Sequence, residues 1–214
     1  MMRTATSINS LRNLERGLSV LIFALVLFQM YQSSKVGVTP RGTPAREALQ
    51  HLHIANGLSI LLLLLPRLWL WFRLPRPSRP TRVPSPADDL ARRCTFGLYL
   101  TLAAFCMTGP LFAWSEGHAV AWFGGLQLPT LLPASYRASV TLGYLHSATG
   151  FFVIALFGFT VLVGLWQALR YRIGPWRLLP GFDWGGGPLY ERSCTSAGWH
   201  IAHAGCFLML FALA

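Results

Sequence analysis

The chain has 214 residues, 53% hydrophobic and only 12% charged, with a formal net charge of +11 and a mean hydropathy of +0.46. An ordinary soluble domain carries about a quarter charged residues, so this composition excludes one and requires apolar surroundings for its apolar runs. The basic excess does not imply a nucleic-acid partner, because the arginines sit between apolar runs and not among exposed aromatics on a polar domain; they report membrane topology.

Crossing the ~30 Å hydrocarbon layer takes roughly 20 helical residues. Runs that meet this length predict helices over 15–32, 49–72, 96–114 and 139–169, with a fifth over 197–214. The fold class expected is therefore an all-α integral membrane protein, a four-helix transmembrane bundle plus an extra C-terminal helix, with the lipid bilayer as its first partner.

The first run follows Arg3, Arg12 and Arg16, yet "LFQMYQSSKVG" offers no small-x-small cleavage site, so it is read as a retained helix and not a secretory signal. After the second run, "RLPRPSRPTRVPSPADDLARR" is Pro-rich and basic and reads as an extended linker. The third run contains Gly109-Pro110, expected to kink or end the regular helix. Beyond it, "SEGHAVAWFGGLQLPTLLP" is too short and too rich in Gly and Pro to cross. Its Trp122 and Phe123, with Trp114 just before, suit an interfacial segment.

Counting basic residues by loop places Arg3, Arg12, Arg16, Arg73, Arg76, Arg79, Arg82, Arg92, Arg93, Arg170, Arg172 and Arg177 on one side, against Lys35, Arg41, Arg46 and Arg137 on the other. The positive-inside rule then sets the N-terminus in the cytoplasm of a multi-pass protein. Cys94, Cys106, Cys194 and Cys206 make no CxxC or CxxCH, so neither a zinc ribbon nor covalently attached haem is signalled.

Two histidines carry the chemistry. In "HLHIANGLSILLLLLPRLW" His53 is followed four residues on by Gly57; in "YLHSATGFFVIALFGF" His146 is followed by Gly150 at the same spacing and preceded by Gly143. Residues three or four apart share a helical face, so glycine there would leave room for a flat macrocycle beside each imidazole. On the predicted topology both histidines lie at similar depth near the outer face, where two opposed imidazoles could ligate a b-type haem iron. On the residues alone a second reading stands beside this one: interfacial histidines, with glycines serving helix packing. His51, about 200° round the helix from His53, and His118 read as solvent-facing. Arg46 and Arg137 could pair with haem propionates or serve simply as loop residues.

The segments around His53 and His146, with "GLYLTLAAFCMTGPLFAW" and "AWFGGLQLP" between them, resemble the bacterial cytochrome b561 family of four-helix inner-membrane haem proteins, which includes superoxide:ubiquinone oxidoreductases. The resemblance covers roughly residues 10–181, which divides the chain into a haem-binding domain over 1–181 and a loop with an extra helix over 182–214. It implies His53 and His146 as axial ligands of a periplasmic-side haem b. Family members hold a second haem near the cytoplasm, using one histidine at the start of helix 1 and another fourteen residues beyond the first on helix 4. Here those places hold Arg16 or Gly17 and Thr160, none an iron ligand.

The expectation is thus one haem and electron exchange with quinone, superoxide or a periplasmic redox partner in the bacterial inner membrane. An alternative is a non-catalytic subunit of a larger respiratory or photosynthetic membrane complex, docking through helix 5. His200 and His203 at the start of that helix are either interfacial anchors or replacement ligands for an inner haem. A transporter has little support, since no Asp, Glu or Lys is expected within the membrane.

Overall fold

A computed structural model describes residues 2–75 and 79–173 of the chain. The helix expected over 197–214, with His200, His203 and the rest of 182–214, lies outside the described residues. Among the described residues the protein is all-helical, with α1 Met2–Val38, α2 Pro44–Arg73, α3 Ser85–Ser115 and α4 Tyr136–Tyr171, and a single 3₁₀ turn Phe123–Gly125. All four long helices are apolar and long enough to cross a membrane.

Each helix outruns its hydrophobic core. α1 extends on both sides of 15–32 because no proline interrupts it before Pro40, and Gly42, at φ 75, then reverses the chain. Thr43 caps α2, its side chain accepting from the Arg46 backbone N–H at 3.3 Å, and Pro44 takes the first helical position, where a missing N–H costs nothing. Arg46 then reaches back, donating to the Val36 and Thr39 carbonyls at 2.7 Å each. Its guanidinium thus ties off the C-terminus of α1.

Two expectations about the chain's breaks need correction. The linker expected over 73–93 is helical from Ser85 onward. Pro86 lies in the first turn, where proline is tolerated, and Asp88 complements the positive end of the helix dipole. Of the two outcomes expected at Gly109-Pro110, a kink or an end, the end does not occur, as α3 continues to Ser115. There Gly117, at φ 84, closes it: its N–H reaches Trp114 O and the His118 N–H reaches Ala113 O, the paired bonds of a Schellman cap.

The described residues divide into two compact units, 2–74 with 96–158, and 75 and 79–95 with 159–173. In the first, Ile22 and Val26 of α1, Ile60 and Leu64 of α2, Leu98, Leu102 and Cys106 of α3, and Val153 of α4 form one buried cluster. Large side chains such as Leu65, Phe72, Phe151 and Phe152 point outward, as surfaces facing lipid require. In the second, Val83, Ala87, Val163 and Ala168 are buried and the Gln167 amide donates to the Ala87 carbonyl.

The segment after α3 packs back against α2. Trp114 and Val120 are buried, packed with Ile54 and Leu58 of α2 and Leu128 and Leu132 of the segment itself. Trp122 donates its indole N–H to Ser59 Oγ at 2.8 Å, while Phe123 remains exposed.

Candidate functional site

The first unit brings His53 and His146 together. Their ring centres are 6.4 Å apart and their planes nearly perpendicular, at 82°. Both rings are half-buried.

Each ring is held through Nδ1 by a different helix. Thr108 of α3 lies 2.8 Å from His146 Nδ1 and commits its own hydroxyl hydrogen to the Phe105 carbonyl at 2.7 Å. Thr108 Oγ1 therefore accepts, and His146 carries its proton on Nδ1. Phe105 and Phe112 stack on the His146 ring at 4.4 and 6.4 Å. The three α3 side chains fall at i, i+3 and i+7, one face of a helix.

On the other side, Gln29 of α1 places its amide nitrogen 3.0 Å from His53 Nδ1 and 3.0 Å from the His53 carbonyl. Ser33 Oγ approaches Nδ1 at 3.4 Å. Gln29 Oε1 accepts from Asn56 Nδ2 at 2.6 Å, and that same nitrogen reaches Leu25 O at 3.1 Å. Gln29, Gln32 and Ser33 make a polar stripe on an otherwise apolar stretch of α1. Gln32 is fully buried, and its Nε2 has no hydrogen-bond partner among the described residues.

With both Nδ1 atoms engaged, Nε2 is the nitrogen left over on each ring, and at His146, where Nδ1 donates to Thr108, this is the arrangement in which a protein orients a metal-binding imidazole. Imidazole binds first-row metals at about 2.0–2.1 Å, so two rings facing one metal along a straight axis have centres about 6.3 Å apart, counting about 1.1 Å from each nitrogen to its ring centre. The observed separation matches that figure. By spacing the two rings fit an axial pair; by donor chemistry only His146 does, since the Gln29 amide donates to His53 Nδ1.

Each glycine has its own neighbours. A Cβ on Gly150 would come within 3.1 Å of the Phe105 ring, and one on Gly143 within 3.1 Å of the Phe112 ring. The space beside His146 is thus taken by the two phenyl rings that clamp it. Gly143 and Gly150 are seven apart, as are Phe112 and Phe105 in reverse order, the register of two antiparallel helices in contact. A Cβ on Gly57 would meet only Gln29 Nε2, at an ordinary 3.6 Å. Gly109, read from sequence only as part of a helix break, lets His146 Cε1 approach to 3.4 Å of where its Cβ would be.

His51 and His118 are exposed, as expected; His118 lies 4.0 Å from Glu116. Arg46 is engaged at the α1–α2 turn, and Arg137 is exposed at the start of α4.

Fourteen residues along α2 from His53, a second polar cluster occupies the same unit. Arg67, 1% exposed, pairs with Glu15 of α1 at 3.1 Å and donates from Nε to Ser19 Oγ at 2.8 Å. Its guanidinium lies 4.9 Å from the Tyr99 ring centre and 5.4 Å from that of Trp71. Tyr99 OH also donates to Ser19 Oγ, at 3.3 Å. Glu15 stands at the edge of the apolar run of α1, whereas Arg67 falls inside that of α2. Arg67, buried in the middle of "LPRLWL", was the signal that could have found its partner. Among the described residues no three His, Cys, Asp or Glu side chains gather as a metal site. No known family's sequence profile matches the chain.

Proposed function

We propose that this chain is a membrane b-type cytochrome that holds one haem between α2 and α4, with His53 and His146 as axial ligands, and exchanges single electrons with a quinone, superoxide or a redox protein. The observation that carries this reading is the 6.4 Å separation of two imidazoles whose Nδ1 atoms are both occupied. The likeness to cytochrome b561 supports it from the sequence side, as does a set of helices apolar enough to span a membrane. The arginine distribution favours a cytoplasmic N-terminus, and the likeness to cytochrome b561 a bacterial inner membrane.

The haem, when bound, would supply one-electron redox chemistry at its iron. The chain's own contribution is orientation and enclosure. Thr108, Phe105 and Phe112 fix the plane and tautomer of His146, Gln29 anchors His53, and the Trp114–Val120 segment packs over the His53 end of α2. About 21 Å along α2 from His53, the polar groups are a guanidinium and a carboxylate that neutralise each other. This is not an iron-ligand set, and Arg16, Gly17 and Thr160 supply none, which favours a single haem.

The test is a reduced-minus-oxidised spectrum of the purified full-length protein. One b-type signal per chain is expected, lost in His53→Ala and in His146→Ala and retained in His118→Ala. Equal haem content in all three variants would overturn the assignment.

A further inference from the structure

We propose that Gln29, locked by Asn56, is a positioning residue that holds His53 in the tautomer opposite to that of His146, so that the two imidazoles of the site are chemically unequal. An amide nitrogen can only donate, so the 3.0 Å contact from Gln29 Nε2 makes His53 Nδ1 an acceptor and leaves the ring proton on Nε2. At His146 the reverse holds, because the Thr108 hydroxyl hydrogen is spent on the Phe105 carbonyl and Oγ1 is free only to accept.

What makes the Gln29 orientation firm is a chain of groups that cannot be turned over singly. Rotating its carboxamide by half a turn would set Oε1 against the His53 carbonyl, now 3.0 Å from Nε2, and set Nε2 against the Asn56 amide nitrogen. Rotating Asn56 to compensate would aim its oxygen at the Leu25 carbonyl, 3.1 Å away. Both residues are buried, Gln29 to 9% and Asn56 to 2% exposure, so no water-exposed alternative relieves the clash. Two backbone carbonyls, one on each helix, therefore dictate which nitrogen of His53 carries the proton.

The consequence for ligand binding rests on the haem reading. His146 already presents a bare Nε2. For His53 to do so, its proton must move from Nε2 to Nδ1, with no change of net charge, and the Gln29 N–H must swing away. Gln29 thus opposes ligation by His53, while Thr108 supports ligation by His146. An acceptor in place of Gln29 would reverse the first effect, since a carboxylate behind an imidazole strengthens it as a ligand.

The experiment uses full-length protein in detergent with ¹⁵N-labelled histidine, before haem is added and at a pH where imidazole is neutral. His53→Ala and His146→Ala assign the two sets of ring-nitrogen signals. The expected result is protonated Nε2 on His53 and protonated Nδ1 on His146. In Gln29→Leu, or in Asn56→Ala, which leaves Gln29 and His53 in place, His53 should lose its single tautomer while His146 keeps its own. The same tautomer on both rings, or an unchanged His53 in both variants, overturns the proposal. In haem-loaded protein, Gln29→Glu should bind haem more tightly than wild type and lower its midpoint potential, whereas equal affinity and potential would overturn the opposing role of Gln29. If no variant takes up haem, the cytochrome reading fails, and the ring-nitrogen signals still decide the tautomers.

Discussion

Along one helix, about 21 Å apart, α2 carries two polar sites that solve the problem of polarity in an apolar bundle in opposite ways. At Arg67 the solution is closure: a charge sealed to 1% exposure, matched by Glu15, hydrogen-bonded to Ser19 and covered by Tyr99 and Trp71. At His53 and His146 the groups are neutral, half-buried and satisfied on one nitrogen each, with the other left over. A closed site consumes its own bonding capacity and is useful as a fastener. An open one retains capacity and is useful to a ligand.

The largest effect expected from breaking this contrast is at the closed end. Arg67→Ala leaves a carboxylate without its partner and should destabilise the protein by about 3–5 kcal/mol, read as a fall in the thermal unfolding midpoint in detergent. Replacing both partners, Arg67→Met with Glu15→Leu, should recover most of that loss, because the desolvation cost of both charges disappears with the pair. A double variant no more stable than the single one would mean that the ion pair is more than a fastener.

A smaller effect separates the glycines. At Gly150 an added methyl meets the Phe105 ring, which cannot retreat without pushing His146, so Gly150→Ala is expected to cost about 1–3 kcal/mol through overpacking. Gly57→Ala meets only an ordinary contact and, through its better helix propensity, should be neutral or stabilising by up to about 1 kcal/mol. The pair also sharpens the reading of the open site. Loss of haem in a stable Gly57→Ala protein would show that this glycine clears a macrocycle, whereas retention would leave it a packing residue.

At Thr108 the effect on stability is of the same order as at Gly150. Thr108→Val keeps the shape of the side chain and removes the acceptor from a half-buried Nδ1, with an expected cost of about 1–3 kcal/mol in stability. Its haem affinity should fall by about 10–100-fold, the usual result of removing a group that orients a metal-binding imidazole. Unchanged affinity would place the control of His146 in the phenyl clamp alone.

The helices were legible because length and hydropathy are properties of consecutive residues, and the two histidines singled out by matched spacing, His53 and His146, do come together. The helix ends were less legible. Ser85 starts α3 well inside a stretch that reads as linker, since the four prolines before it, Pro75, Pro77, Pro80 and Pro84, outweigh the helix-starting signal of Pro86 and Asp88 in any local reading. Gln29 and Thr108 were missed for a different reason. Each is a lone polar residue on an apolar helix, ordinary by itself, and becomes a partner only when an imidazole from another helix arrives at its side chain. The stripe Gln29, Gln32 and Ser33 was visible in principle as i, i+3, i+4 spacing within apolar surroundings, but it named no partner.

Sequence by itself determined that this protein is built of apolar helices able to cross a bilayer, because hydrophobic burial depends on how many apolar residues follow one another. Only the packed structure decided that the room at Gly143 and Gly150 belongs to phenyl rings, that Arg67 meets Glu15, and that His53 and His146 are held by unlike partners. These outcomes depend on the register and rotation of one helix against another, and a hydrogen bond or ring contact is won or lost over an ångström or so, a distance that spacing along a single chain does not specify.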